Sequence, residues 1–350
     1  MFLIRQAGPK DFRGVFALAK VLDSYNLPAD GPYIRKLLHT SESSFAGRLS
    51  KEKARYLFVL EKTGSTGYKV PGTLVGCSLI IAKHGTWGHP HLWFSEDRIE
   101  KSSRTLKIRK SHPILKMGYT EDGPTEVGGF VVLPRYRGRP ERCGLQLSYV
   151  RFLYMAMYPE RFKQTVLIEY RGAMGIGGKS PFWEAIGRVF TGLSYQRADR
   201  LSATNKEFIL GLLPTEPIYC ALLPKPVQRA IGAIHPAAMP AAALAARIGF
   251  RRIPQVEPFD GGPYYSSALR DIRLVRETRN LPVARFPSPR GEGRVRGIRP
   301  HLVAAETGGT FRAVLIDGTV SMGRFKMEEK GFDWLKVRSG DPAYVCAVPR

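Results

Sequence analysis

The sequence feature that most constrains the fold is an apolar strand that leads through a short loop into a long helix and then to a second strand. Residues 128–133 are apolar and partly β-branched, residues 145–157 are rich in apolar and aromatic side chains, and residues 165–170 read as the next strand. A strand, a helix and a strand in this order form a β-α-β unit, in which the two strands lie parallel. We therefore expect an α/β fold whose sheet is parallel in this region.

The loop inside this unit, residues 134–144, is basic and contains Gly138 and Gly144. Free backbone N–H groups and the positive end of the helix dipole point at such a loop, so it can bind a phosphate group. An ordinary basic surface turn has the same composition, and a motif this short leaves both interpretations open.

The rest of the chain predicts more than one structural unit, because 350 residues exceed the usual size of one domain. Residues 2–5 read as a first strand, Asp11 begins a helix, and residues 55–61 and 73–82 read as an antiparallel pair. A segment rich in Pro, Gly and Arg then separates a last pair of strands from the rest. The predicted organisation is a core over 1–281 with insertions at about 84–124 and 171–230, a linker or long loop over 282–300, and a small β module over 301–350.

The net charge of +24 favours anionic ligands. Nucleic acid, anionic lipid and a phosphorylated cofactor all fit such a field, so charge alone does not select among them. No apolar run reaches the roughly 20 residues of a membrane span, and the N-terminus has no signal-peptide pattern. The four cysteines lie far apart without the spacing of a metal site. These features predict a cytoplasmic protein with reduced thiols and no membrane association.

Three histidines, His84, His89 and His91, lie within eight residues of one another. They share neither helix nor strand spacing, Pro90 interrupts them, and no acidic or cysteine residue beside them completes a ligand set. The pattern therefore predicts no metal and favours the edge of a solvated loop.

One further histidine, His235, lies in a turn between two predicted helices, with Pro236 to end the first and Pro240 to begin the second. A turn of this kind can direct an imidazole towards a site. A histidine at the end of an apolar helix can equally complement the helix dipole or bond the last carbonyls. Spacing alone leaves both interpretations open.

Seven short strings lie between residues 169 and 263: EYRG at 169–172, GKSPFW at 178–183, RAD at 197–199, PIY at 217–219, IGAIHP at 231–236, IGF at 248–250 and FDGGP at 259–263. In order and spacing they resemble the arginine N-succinyltransferase family of the succinyl pathway of arginine degradation. That family belongs with the acyl-CoA N-acyltransferases of the GNAT type. The resemblance implies a GNAT-like mixed central sheet flanked by helices, elaborated by helical insertions and followed by the small C-terminal β module.

The resemblance also implies functional residues. In GNAT enzymes a central strand, a basic glycine loop and a helix hold coenzyme A, here succinyl-CoA as co-substrate without a metal. His235 takes the position of the family's proton donor. Two positions depart from the family pattern, since Arg142 stands where a glycine is usual and Gly175 where an aspartate is usual. The implied coenzyme contacts are Phe130, Val131, Val132, Arg137, Gly138, Arg142, Gly144 and Leu145.

If arginine is the acceptor, its guanidinium stays protonated, so the α-amine must attack the thioester. Carboxylates should bind the guanidinium, for which Glu169, Asp199 and Asp260 are candidates, and Arg171 or Arg197 should bind a substrate carboxylate. A simpler interpretation pairs Glu169 with Arg171 and lets Asp199 begin a helix.

Two functions of other classes remain open at the level of sequence. The strong positive charge and the altered loop suit a nucleic-acid-binding protein that retains an acyltransferase scaffold. Because the family can form complexes of two related chains, a non-catalytic partner subunit is the other alternative, and a homo-oligomer is a further possibility. For the main hypothesis the partners are small molecules, an acyl-CoA and arginine or a related amine.

Overall fold

The computed structural model describes residues 2–22, 27–63, 73–203, 205–286 and 297–349. Its strands join one mixed sheet. In chain order they are β1 Phe2–Gln6, β2 Arg55–Lys62, β3 Thr73–Ile81, β4 His91–Ser103, β5 Ile108–Thr120, β6 Thr125–Val132, β7 Thr165–Glu169, β8 Ile218–Tyr219, β9 Arg251–Val256, β10 Pro263–Ala268, β11 Arg279–Arg285, β12 Arg299–Thr307, β13 Thr310–Ser321, β14 Arg324–Met327 and β15 Pro342–Ala347.

The α-helices cover both faces of the sheet or belong to the segment between β7 and β9. In chain order they are α1 Phe12–Leu22, α2 Gly31–Phe45, α3 Cys143–Met157, α4 Pro181–Ala185, α5 Gly187–Thr191, α6 Tyr195–Ser202, α7 Glu207–Leu212, α8 Lys225–Ala230, α9 Met239–Ala246, α10 Arg273–Glu277 and α11 Glu329–Leu335. None of the helices in the described ranges is long and apolar enough to cross a membrane.

The centre of the sheet confirms the β-α-β prediction. The order β1-β2-β3-β6-β7 places the two strands of that unit side by side, and β6 pairs with β7 in parallel. Strands β2 and β3 form the expected antiparallel pair. The mixed α/β class predicted from the sequence is therefore confirmed.

Strand β2 shows why helices cover the central sheet on both faces. Tyr56 and Phe58 point into the core beneath α3, whereas Leu57 and Val59 point into the core formed with α1 and α2. Successive side chains of a strand face opposite sides, so an apolar run of this kind needs cover on both. Helix α3 is itself buried nearly all round, and Gly144 in its first turn lies near the ring of Phe130 on β6.

The insertion predicted at about 84–124 forms regular structure. It contains a long antiparallel hairpin, β4–β5, in register from His91↔Thr120 to Ser103↔Ile108. Its base joins the sheet through β9 and packs Leu92 and Phe94 into a core, while its tip is exposed. The solvated loop edge predicted around His84 and His91 is wrong, because both side chains are buried, and His91 is the first residue of β4.

The last five strands close into a ring in the order β12-β15-β11-β14-β13, with β13 returning to β12. Apolar side chains such as Val283, Val303 and Phe325 fill its interior, and β13 joins it to β1. The linker predicted over 282–300 is wrong for residues 282–285, because they belong to β11 and pair with β14 and β15. Residues 287–296 of that prediction lie outside the described ranges.

Candidate active site

The two parallel strands of the central unit separate from each other. Strand β6 pairs with β7 only at Thr125↔Val166 and Glu126↔Leu167. Beyond this point β6 continues along β3 and β7 continues along β10. Where two strands separate, their backbone N–H and C=O groups no longer pair with each other. An extended ligand chain can insert between the strands there and form hydrogen bonds with these groups.

A bulge lies on β6 at this gap. The register with β3 shifts between the pairs Cys77↔Val131 and Leu79↔Gly128, so two residues of β6 oppose one of β3. Gly129 has φ of +53°, and a Cβ there would lie 2.9 Å from the Cβ of Leu79. One type of β-bulge has a glycine in the left-handed conformation at its first position. A bulge changes the direction in which the side chain of the next residue points. Phe130 is that residue.

The predicted coenzyme loop follows directly and folds back onto β6. The exposed Arg137 donates from Nε to the carbonyl oxygen of Val132 at 2.8 Å. Arg142 precedes the first residue of α3 in a left-handed conformation, with φ of 54°. A residue with a Cβ pays roughly 1–2 kcal/mol for that conformation. The backbone geometry therefore matches the glycine expected at this position, while the side chain is a cation.

The structure brings the predicted coenzyme residues together around the start of α3. Arg137, Gly138 and Arg142 are exposed, Gly144 and Leu145 are half-buried in the first turn of the helix, and Val131 and Val132 are buried on opposite faces of β6. A Cβ on Gly144 would lie 3.8 Å from the ring of Phe130. The first turn of α3 therefore lies beside the residue that follows the bulge glycine of β6.

His235 does not end a helix, so the helix-dipole interpretation from the sequence is wrong. Helix α8 ends at Ala230, and His235 instead caps the short 3₁₀ turn that leads to α9. Its Nδ1 accepts a hydrogen bond from the N–H of Ala237 at 3.2 Å. A ring nitrogen that accepts carries no proton, so the neutral imidazole has its proton on Nε2. The half-buried ring therefore offers a donor at Nε2.

Two backbone hydrogen bonds connect the His235 turn to the segments beside it. The N–H of His235 donates to the carbonyl oxygen of Arg171 at 2.8 Å, and the N–H of Gly232 donates to the carbonyl oxygen of Gly261 at 2.8 Å. Arg171 follows β7 and Gly261 precedes β10. The turn is thus held at the ends of two neighbouring strands, next to the gap.

Asp260 is buried in the turn before β10 and is fixed by backbone donors, with its Oδ1 accepting from the N–H of Gly262 at 2.8 Å. Burial raises the pKa of Asp260, while the amides of Gly172 and Gly262 and the charges of Arg171 and His235 act in the opposite direction. Because Arg171 and His235 both influence the pKa of Asp260, these two predicted site residues lie close to it.

Asp199 joins the same group from α6, where it lies inside the helix rather than at its start. Tyr195, one turn earlier, has its pKa raised by burial and by the charges of Asp260 and Asp199, while Arg171 lowers it. The prediction that Asp199 begins a helix is therefore wrong. Arg171 and His235 therefore lie near Asp260, and Asp199 lies near Tyr195, on which Arg171 and Asp260 also act.

Glu169 faces a separate, buried cluster. Its Oε1 lies 3.6 Å from Nδ1 of His84 and 3.7 Å from Nδ1 of His91. Burial raises the pKa of Glu169 well above its usual range, the charges of Glu126 and Glu257 raise it further, and Lys206 lowers it. The predicted pairing of Glu169 with Arg171 does not appear among the ion pairs of the described residues.

The side chains around Glu169 enclose a cavity of about 10 Å³, roughly the space of one water molecule. An amino acid does not fit there. The ligand atoms of His84, His91 and Glu169 lie within 4.8 Å of one another, a donor set that suits a divalent transition metal. The ammonium of Lys206, 3.5 Å from Nε2 of His84, already brings a cation to the cluster.

Sequence reasoning missed Glu126, Lys206 and Glu257, which are close neighbours of Glu169. Glu126 gave a readable signal, because a carboxylate inside an otherwise apolar central strand needs a partner. Lys206 and Glu257 gave no signal in the sequence. They lie near Glu169 only because the start of α7 and the turn after β9 pack against it in the fold. The acidic partner of the two histidines was likewise distant in sequence.

Comparison with known protein families gives one match over most of the chain. The family model for AstA, described as the arginine N-succinyltransferase beta subunit, matches residues 2–274. The match covers the central sheet, the basic loop and the His235 turn.

Individual relatives agree with the family match. An arginine N-succinyltransferase of Enterobacter sp. (strain 638) is 32% identical over 97% of this chain and 96% of its own length. The arginine N-succinyltransferase subunit alpha of Pseudomonas aeruginosa is 33% identical over 91% and 90%. Among solved structures, the arginine/ornithine succinyltransferase subunit AI of Pseudomonas aeruginosa is similar with a TM-score of 0.84 and 31% identity, covering 100% of this chain and 99% of that one.

Proposed function

The chain belongs to the arginine N-succinyltransferase family and is an acyltransferase, and we propose that it transfers the succinyl group of succinyl-CoA to the α-amine of arginine. The observation that carries this proposal is that His235, Arg171 and Asp260 lie beside the ends of β7 and β10, next to the β6–β7 gap, with Asp199 of α6 nearby. Family membership gives the nucleic-acid alternative no support.

The coenzyme occupies the loop and the gap in this proposal, in the manner of a GNAT fold. Its pyrophosphate binds the N–H groups of the first turn of α3 and the exposed guanidiniums of Arg137 and Arg142, because a helix N-terminus and nearby cations stabilise phosphate. Its pantetheine arm enters between β6 and β7. The thioester then lies at the bulge, where backbone N–H groups from Phe130 to Val132 can stabilise a developing oxyanion.

The acceptor lies on the side of the gap where His235 and Arg171 meet. The exposed Arg171 binds the α-carboxylate of arginine, and the half-buried Asp199 binds its guanidinium, since bidentate carboxylate–guanidinium contacts suit both. The buried Asp260, already bonded by backbone amides, orients Arg171 and His235. Glu169 and Lys206 support these residues from the buried cluster without contacting the substrate.

In the reaction, the neutral α-amine attacks the thioester carbon, a C–N bond forms and the C–S bond breaks. The amine nitrogen loses one proton to water, and the departing thiolate gains one from water. His235 stabilises the sulfur as the bond breaks by donating a hydrogen bond from Nε2, since its Nδ1 is occupied by the N–H of Ala237. For His235 to transfer a proton outright, the ring would first have to be protonated on Nδ1 and lose that bond.

The test is release of free thiol from succinyl-CoA and acetyl-CoA with arginine, ornithine and an amine without a carboxylate as acceptors. The proposal expects the fastest release from succinyl-CoA with arginine. Release with none of the pairs, from protein that is folded, would contradict it.

We also propose that the chain assembles with further subunits. Both relatives from Pseudomonas aeruginosa carry a subunit designation. Large apolar side chains between β7 and α8 are exposed, among them Ile176, Val189 and Leu222, and exposed apolar surface of this kind is typical of protein interfaces. The native mass in solution, measured by light scattering, decides between a single chain and an assembly.

A further inference from the structure

Arg151 is a buried cation that the proposed reaction has not yet used. It lies in the middle of α3 and is 5% exposed. Its Nε donates to the carbonyl oxygen of Ser148 at 3.1 Å, and its Nη2 donates to the hydroxyl of Ser148 at 3.3 Å. Both acceptors are neutral. No carboxylate of the described residues forms an ion pair with it, and burial lowers the pKa of its guanidinium to about 10.

A buried guanidinium without a counter-ion is costly, so proteins rarely keep one without a partner. At neutral pH Arg151 remains charged. Its other contacts are the rings of Phe130 and Phe152, whose centroids lie 5.5 Å and 5.6 Å from Cζ. Cation–π contacts offset only part of the lost hydration. The environment of Arg151 therefore favours the binding of an anionic group.

The position of Arg151 points to the acyl group of the substrate. Phe130 is the residue turned by the bulge on β6, at the gap that receives the thioester in the proposed reaction. Tyr170, which follows β7, lies close enough to Arg151 to influence the pKa of its guanidinium. Arg151 thus lies below the place where β6 and β7 separate, within reach of both strands.

We propose that Arg151 binds the distal carboxylate of a dicarboxylic acyl group and so selects succinyl-CoA over acyl-CoA thioesters without a terminal charge. This inference rests on the proposed succinyl transfer. In a succinyl group three C–C bonds of about 1.5 Å place the carboxylate carbon about 4 Å from the thioester carbon. With the thioester at the backbone of Phe130, that carboxylate meets the guanidinium over the Phe130 ring.

The charge of Arg151 would be neutralised by this carboxylate only when succinyl-CoA is bound. Charge-assisted, bidentate contacts between a guanidinium and a carboxylate are among the strongest hydrogen bonds in proteins. A site built for such a contact discriminates strongly against a ligand that lacks the group, because the buried partner is then left unpaired. Acetyl-CoA leaves Arg151 in that state.

The experiment compares Arg151→Met with the parent protein, using thiol release to measure kcat/KM for succinyl-CoA and acetyl-CoA and calorimetry to measure the binding of both without acceptor. Arg161→Met is the matched control, because it removes a guanidinium that also stacks on an aromatic ring, Tyr158, at 3.9 Å, but beyond the C-terminal end of α3. Near-ultraviolet circular dichroism verifies that each variant is folded.

We expect Arg151→Met to lose about 100-fold or more in kcat/KM for succinyl-CoA while acetyl-CoA changes by no more than about threefold, and to bind the two donors equally. Arg161→Met should keep the parent's preference. An equal loss for both donors, or a rise in KM for arginine with unchanged donor preference, would overturn the inference while leaving succinyl transfer intact. If the parent shows no turnover, the calorimetric preference for succinyl-CoA and its loss in Arg151→Met still decide the role of Arg151.

Discussion

The backbone N–H of His235 donates to the carbonyl oxygen of Arg171 at 2.8 Å. This single bond connects a turn before α9 to the segment that leaves β7, more than sixty positions earlier in the sequence. The backbone positions from which the imidazole and the guanidinium extend are therefore held next to each other. Five consequences can be measured.

Gly172 lies where three backbone segments of the site meet, and it should not tolerate a side chain. A Cβ there would lie 2.3 Å from the carbonyl oxygen of Asp260 and 2.8 Å from the N–H nitrogen of Gly262. Gly172→Ala should lower the free energy of unfolding by about 1–3 kcal/mol and reduce thiol release, because the rigid backbone cannot move aside. Gly175→Ala is the control, since its nearest contact would be 3.5 Å away at φ of −91°. Urea unfolding of both variants checks the difference, and equal stabilities would contradict the packing.

Asp199 should set affinity for the guanidinium of the acceptor. Asp199→Asn should raise KM for arginine by about tenfold or more, because a hydrogen bond to a charged partner contributes about 1.5–3 kcal/mol, and should change kcat far less. Asp97→Asn, on the exposed part of β4, is a control that should leave KM unchanged. The measurement is steady-state kinetics with arginine varied at saturating succinyl-CoA, and an unaltered KM in Asp199→Asn would remove Asp199 from the acceptor site.

Arg151 should reduce the stability of the protein when no acyl-CoA is bound. Because burial lowers the pKa of its guanidinium in the folded state to about 10, the folded protein binds this proton more weakly than the unfolded chain. The resulting loss of stability is fully present at neutral pH and is relieved only as the pH rises above about 10, towards the higher pKa of the unfolded chain. Arg151→Met should therefore raise the free energy of unfolding at neutral pH by about 1–2 kcal/mol. Thermal or urea unfolding measures it, and a less stable variant would indicate a structural role instead.

Arg142 adopts a conformation that suits glycine, so Arg142→Gly should separate backbone strain from phosphate binding. The substitution should raise the free energy of unfolding by up to about 1 kcal/mol and weaken coenzyme A binding severalfold through loss of a cation. Lys336→Gly is a matched control, because Lys336 also has a left-handed backbone, with φ of 59°, at the end of α11. It should gain similar stability without any change in coenzyme affinity, measured by calorimetry. Unchanged coenzyme affinity in Arg142→Gly would exclude its side chain from the phosphate site.

The sequence predicted those parts of the fold that local pattern determines. The β-α-β unit around residues 128–170 was readable because apolar strands, a basic loop and a long helix lie next to one another in the chain. The strings around Arg171, His235 and Asp260 predicted a common site because they match a family pattern. The exact termini of α8 and the position of His235 outside it could not be read, since two prolines mark boundaries only to within a few residues.

Long-range packing explains what the sequence did not predict. His84 and His91 read as solvent-exposed because their acidic neighbours, Glu126 and Glu169, are brought by other strands. Residues 282–285 read as a linker because Pro282 suggested a break, yet that residue pairs with Pro342 at an end of the β11–β15 ladder. A proline is tolerated where no ladder hydrogen bond is needed from its nitrogen.

The central claim, that His235 stabilises the leaving sulfur by donating from Nε2, is tested most directly by kcat for succinyl-CoA and arginine in His235→Ala and His235→Gln. Loss of one such donor should reduce kcat by about 10²–10³-fold in His235→Ala. The amide of glutamine can place a donor near the same point, so His235→Gln should keep a substantial part of that factor. A kcat in His235→Ala within a few-fold of the parent would contradict the claim. Equal losses of kcat in the two variants would also contradict it and would indicate that the imidazole transfers a proton instead of donating a hydrogen bond.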